Sequence, residues 1–206
     1  MSGRESSMSK LLNYSLEDFI EKTRDTSSYP GGGALASLTA SLAGALMVMV
    51  NGLSKGQCLE DLKSLEDLIE AAKENIEADA HAFSGVLEAG KLPRETEAQE
   101  RTYQEALRKG YIRAIEVPLK TCQVALDLLK IQETMVKKAS TYGLPDLYVA
   151  ASLALASLEG ASFMVDCNLP FLKDLEKRRA YEEEKKALLD QGRALKEKIL
   201  TSKERA

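Results

Sequence analysis

Apolar residues recur along this chain at three- and four-residue steps, and no run alternates with the two-residue period of a strand. The longest series is Leu59, Leu62, Leu65, Leu68, Ile69, Ala72, Ile76, Ala80, Phe83 and Leu87, which predicts a long helix ending where Gly90 and Pro93 punctuate the sequence. Ahead of it, Leu16, Phe19 and Ile20 give the apolar face of a short helix over 15–25, with Ser15 and Asp18 as its capping box. A second helix is expected from Gly33 to about Leu53. Thr96 and Gln99 are the capping-box signature of a fourth, which runs through Tyr103, Leu107, Tyr111 and Ala114 to Leu129 and Met135. Pro118 interrupts it, removing one backbone N–H and crowding the carbonyl of Ala114, so a kink is predicted. Pro145 and Asp146 open a fifth helix ending near Cys167, and Phe171 to Ala206 reads as a charged amphipathic sixth. The fold class is therefore all-α: a single-domain antiparallel bundle of about six helices, one of them long and proline-kinked. Residues 1–14 are expected to be a flexible N-terminal segment, and 15–206 the one helical domain.

Two helices break the amphipathic rule. Ala34–Val50 carries no charge, and Leu147–Val165 carries only Glu159. Both are rich in Ala, Ser, Thr and Gly, with no Lys/Arg asymmetry or aromatic belt at their flanks, which disfavours a membrane span. Ala36, Ala40, Ala43 and Gly44, and likewise Ala150, Ala154, Ser157, Gly160 and Ala161, form ridges of small residues along which another backbone can approach. Close packing in the core or across a dimer interface is expected.

Composition adds exclusions. A net charge of −4 over 206 residues supplies no basic excess for nucleic acid. Three dispersed cysteines without a CxxC pair suggest neither a disulfide framework nor zinc, and reduced thiols in the cytoplasm are the default. The N-terminus has no apolar stretch of signal-peptide length. The one histidine, His81, falls roughly opposite the apolar stripe of its helix, which counts against a histidine-based device or a metal site.

The candidate chemistry lies elsewhere. "PGGGA" at 30–34 fits neither the GK[ST] phosphate loop nor GxGxxG. It places bare N–H groups at the positive end of a helix, which serve either an anion or a tight turn with close backbone packing. Asp79 falls inside the apolar stripe, between Ala72, Ile76, Phe83 and Val86. A carboxylate there must be hydrogen-bonded, paired or shifted in pKa. Asp146 can simply favour a helix N-terminus.

Taken in order, "PGGGALASLTASLAGALMVMV", "EADAHAFSGVLEAGKLPRETEAQ", "AIEVPLK" and "LPDLYVAASLALASLEGASFMVDCNL" resemble the formiminotetrahydrofolate cyclodeaminase and methenyltetrahydrofolate cyclohydrolase family from about Leu16 to Leu169. The resemblance implies a cyclodeaminase-like helical subunit, a homodimer, and a folate pocket near the interface. It implies chemistry on the carbon bridging N5 and N10 of tetrahydrofolate, with no cofactor beyond that substrate and no metal. Ring closure with release of ammonia is one reaction; hydration and ring opening is the other. By the same likeness, Asp79 (the Asp of "DxxAF") and Asp146 are the catalytic candidates. Gly31, Gly32, Gly33, Ala34 and Asn168 are the substrate-binding candidates. The chain departs from the family pattern at Ala34, Ala139, Ser140, Pro145, Met164 and Asp166, where other residues are usual. Two alternatives stand beside the enzyme: a diverged dimer binding a different small anionic ligand, and a non-catalytic interaction protein.

Overall fold

The computed structural model describes residues 10–26, 30–55 and 62–202. Six α-helices make up the body: α1 Leu16–Arg24, α2 Gly32–Leu53, α3 Leu62–Gly90, α4 Glu97–Met135, α5 Leu144–Asn168 and α6 Leu175–Thr201. Among the described residues there is no strand, and the protein is an all-α bundle. The beginning expected for the third helix, near Leu59, lies outside the described residues, as does Cys58.

The helix starts follow from capping chemistry. Thr96 and Gln99 form the full reciprocal box, with the Gln99 N–H donating to Thr96 Oγ1 and the Thr96 N–H donating to Gln99 Oε1. At α1 only half of the box forms. The Asp18 N–H donates to Ser15 Oγ, and that hydroxyl turns back onto Asp18 Oδ2. α6 begins four residues later than the amphipathic pattern suggests, because Asp174 caps it by accepting the Lys177 N–H. A 3-10 turn at Leu169–Phe171 fills the gap.

The two small-residue helices pack on each other and on α3 and α4. A Cβ built on Gly160 would sit 3.6 Å from the Ala36 methyl, ordinary contact distance. On Gly44 it would fall 2.5 Å from Ile69 Cγ1, so α3 approaches α2 only because residue 44 has no side chain. Met47, Val50, Leu65, Leu128, Leu129, Met135 and Leu147 close the core at one end. Ile115, Leu126, Leu158, Val165 and Leu172 close it nearer the glycine loop. Each such residue contributes about 1.5–3 kcal/mol by burial. α6 covers α4 and α5 with Tyr181, Leu188, Gly192 and Ile199, and Arg193 pairs with Glu159 at 2.9 Å.

Two details depart from the sequence pattern. Leu16 and Ile20 are exposed, and only Phe19 of the expected α1 face is buried, in a small cluster with Ile76 and Ala80. One turn of apolar surface is all that α3 offers this short helix. The N-terminal segment meets the body before Ser15. Leu11 is buried in the same cluster, and the Leu12 N–H donates to Glu77 Oε1. By length and composition alone, Gly32–Leu53 and Leu144–Phe171 could cross a membrane. In the structure about half of each is buried against other helices.

Candidate active site

The glycine run places α2 against α3. Gly31 is the N-cap residue in extended conformation, and its carbonyl accepts the Leu35 N–H. The first N–H groups of a helix have no partner within it. That of Ala34 donates to Asp79 Oδ2 at 3.1 Å, joining α2 to the middle of α3. Those of Gly32 and Gly33 have no hydrogen-bond partner among the described residues and remain available.

Gly33 has a specific reason to be glycine. A Cβ there would lie 2.0 Å from Asp79 Oδ1 and 2.5 Å from Asp79 Cγ, so the carboxylate occupies the space a side chain would take. At Gly32 the nearest atom would be the flexible Sδ of Met164, at 3.3 Å.

The floor is held by a buried polar chain. Ser37 Oγ donates to the Gly33 carbonyl at 3.0 Å and lies 2.9 Å from Thr121 Oγ1, which also accepts from Asn75 Nδ2 at 3.2 Å. Three helices are thereby fixed in register beneath the loop.

Above this floor opens a cavity of about 190 Å³, lined by Gly31, Gly32, Gly33, Asp79, Ala80, Ala82, Phe83, Ala114, Met164 and Asn168. Four helices contribute to it. Burial pushes the Asp79 carboxyl above its ordinary value, and the single N–H of Ala34 offsets this only in part. A carboxyl raised towards working pH, beside free N–H donors, can exchange protons with a bound molecule while the donors hold developing negative charge.

Asp79, the three glycines and Asn168 are thus brought together. Ala34 contributes its backbone N–H, and its methyl is buried. A serine at that position is not needed to bind Asp79. Asp146 does not join them within the subunit. It lies in the first turn of α5, while Asn168 ends the same helix about 33 Å away at ~1.5 Å per residue. Ala139, Ser140 and Pro145 lie at that distant end too, where the Ser140 N–H donates to Ser54 Oγ. Asp166 turns away from the cavity and pairs with Lys185 of α6. Met164 is the departure that lines the cavity.

Sequence reasoning did not assign Ala82 or Ala114 to the cavity, and it gave Ala80 and Phe83 to the apolar stripe of α3. Phe83 is 42 % exposed and forms part of the wall. His81 is exposed, and no cluster of three or more potential metal ligands exists among the described residues.

The subunit is all-helical, with a carboxylate facing the N-terminus of a glycine-led helix across a small cavity. The family model described as formiminotransferase-cyclodeaminase matches residues 15–187, and the chain belongs to that family. Mouse formimidoyltransferase-cyclodeaminase is 32 % identical over 173 residues, covering 80 % of this chain and 32 % of the mouse protein. The chain therefore spans about a third of that relative's length. Methenyltetrahydrofolate cyclohydrolase of Methylorubrum extorquens is 28 % identical over 200 residues, covering 91 % of this chain and 94 % of that protein. The crystal structure of formiminotetrahydrofolate cyclodeaminase from Thermotoga maritima superposes with a TM-score of 0.80 at 22 % identity, covering 92 % of this chain and 95 % of that one. At that identity the likeness establishes the fold.

Proposed function

We propose that this protein is a folate one-carbon enzyme acting on the carbon between N5 and N10 of tetrahydrofolate, as a cyclodeaminase or a cyclohydrolase. Asp79, half-buried in the glycine-rimmed cavity of a chain from this family, carries the proposal. In the deamination, N10 bonds to the formimino carbon and loses its proton. The amino group takes up a proton and leaves as ammonia. In the hydrolysis, water adds to the methenyl carbon and loses a proton. The hydroxyl so formed loses its own proton as the bond from that carbon to N5 breaks and N5 takes one up, leaving 10-formyltetrahydrofolate with one proton released overall. Both routes need one group that accepts a proton and returns it to a nearby nitrogen, and Asp79 fits that role. We propose no cofactor beyond the folate itself. We assign residues 15–206 to a single catalytic domain working in the cytoplasm, without a nucleic-acid or membrane partner. Mixing the protein with 5-formiminotetrahydrofolate and with 5,10-methenyltetrahydrofolate, and following the methenyl absorbance, is expected to show catalysed change with one of them. No acceleration with either sinks the proposal.

A cavity of about 190 Å³ is smaller than the ~300–1,000 Å³ usual for small-molecule sites, so it holds only the ring-bearing part of a folate. On this reading the rest of the folate lies along the surface, beside a second copy of the chain. Leu35, Leu42, Met49 and Leu53 on α2, with Val149 and Phe163 on α5, are all exposed and continue the apolar character of these two helices outward. We propose that this face is the homodimer interface, burying more than ~1,000 Å² in total. Sedimentation at micromolar concentration is expected to give a dimer for the native chain and a monomer for the Leu42→Glu, Phe163→Glu double variant. A native monomer, or a double variant that remains dimeric, contradicts this assignment.

A further inference from the structure

Pro118 leaves a carbonyl without its helical partner. In α4 the N–H of residue 118 would bond the carbonyl of Ala114, but proline has none, and its ring crowds that carbonyl outward. The oxygen is instead met from α5: Asn168 Nδ2 donates to Ala114 O at 3.1 Å and to Met164 O at 2.8 Å. Both acceptors are carbonyl oxygens, so only the NH₂ half of the amide can face them. Turning the amide over would bring three acceptors together and lose both bonds. Asn168 Oδ1 consequently has a fixed place, and no described residue donates to it. Asn168 and Ala114 both line the cavity that contains Asp79.

We propose that Pro118 and Asn168 work as a pair. Pro118 is a positioning residue that locks the Asn168 amide, and Asn168 Oδ1 is the acceptor for an N–H of the bound ring. The inference rests on the folate reading and names its recognition chemistry. The fitting ligand edge is a nitrogen heterocycle carrying N–H or NH₂ donors. A reduced pterin ring presents these at its amino group and ring nitrogens. The cavity then combines an acceptor from α5, free N–H donors from α2 and a titrating carboxyl from α3. A ring offering only acceptors on that edge would leave Oδ1 buried against a lone pair, which disfavours it.

Three variants test the pair: Asn168→Ala, Pro118→Ala and the double substitution. The first removes the acceptor. The second restores a helical N–H that competes for the Ala114 carbonyl, leaving the amide held by the Met164 carbonyl alone, and it adds a helical bond rather than removing one. Binding of 6-methyltetrahydropterin, which has the ring without the glutamate tail, is measured by calorimetry. Hydrogen exchange of the Asn168 side-chain NH₂ is measured in the unliganded protein by NMR. Expected are slow NH₂ exchange in the wild type that quickens in Pro118→Ala, and pterin binding weakened about tenfold in Asn168→Ala. Pro118→Ala should weaken it by a smaller factor, with no further loss in the double variant, because both changes act through one amide.

Equal pterin affinity in wild type and Asn168→Ala overturns the proposal. Additive losses, or no wild-type pterin binding at all, overturn it too. Turnover of folate by the wild type alongside any of those results leaves the enzymatic reading standing and removes only the acceptor. Pterin binding with the expected pattern but no folate turnover supports the acceptor and sinks the enzymatic reading.

Discussion

The Asp79→Asn variant is expected to lose turnover by a factor of about 10²–10⁴ while melting at a higher temperature than the native chain at neutral pH. The amide is close in shape to the carboxylate and can still accept the Ala34 N–H, so the loop stays docked on α3. What disappears is the proton exchange. The stability gain follows from the direction of the pKa shift, which is upward because burial outweighs the one hydrogen bond. Between the unfolded value, near 3.8, and the higher folded value, the native state holds a proton that the unfolded chain has released. Stability therefore falls as pH rises through that window and stays lower above it. The asparagine escapes this loss. Its advantage should be absent well below pH 3.8, grow across the window and be complete above the folded pKa. Melting temperature and turnover measured on the same preparations check both halves. A variant that melts lower at neutral pH but turns over normally would make Asp79 a structural residue.

Gly33→Ala is expected to be nearly as damaging to activity, whereas Gly32→Ala is mild. The added methyl at 33 would overlap Asp79 Oδ1 at 2.0 Å, and no rotation of a methyl relieves it. The carboxylate must swing out, giving up the Ala34 N–H and its place in the cavity, at a cost of about 1–3 kcal/mol for an overpacked site. At 32 the methyl meets only the end of Met164, which can move. Adding Asp79→Ala to Gly33→Ala removes the group that the methyl strikes, so most of the stability loss should be recovered. Thermal melts of the single and double variants measure that coupling. Additive effects would mean that Gly33 matters for some reason other than Asp79.

The bundle was legible because its helices obey a 3.6-residue period over many turns and begin at recognisable caps, as at Thr96 and Gln99. Asp79 stood out for a related reason: a lone carboxylate inside an apolar stripe breaks a pattern that is otherwise regular. The ridges of Ala and Gly announced close packing, and α2 and α5 do lie together. Other features depend on neighbours far away in the chain. Whether Leu16 and Ile20 are covered depends on how much of α3 is left for them, which periodicity does not contain. Asp146 and Asn168 share one helix, yet only the end of α5 that adjoins the glycine loop reaches the cavity. Pro118 was read as a local kink. Its freed carbonyl gained significance only when α5 brought Asn168 Nδ2 to it.

The central claim is that the cavity at the head of α2 receives the reactive part of a folate beside Asp79. The most direct measurement is a crystal structure of the Asp79→Asn protein with 5,10-methenyltetrahydrofolate, in which slowed chemistry preserves the bound ligand. The predicted result places the ring system against Gly31–Gly33, with the bridging carbon and its two nitrogens within direct or one-water hydrogen-bond reach of residue 79. A folate bound on another surface, or a cavity left empty at a concentration that saturates binding in solution, would contradict it.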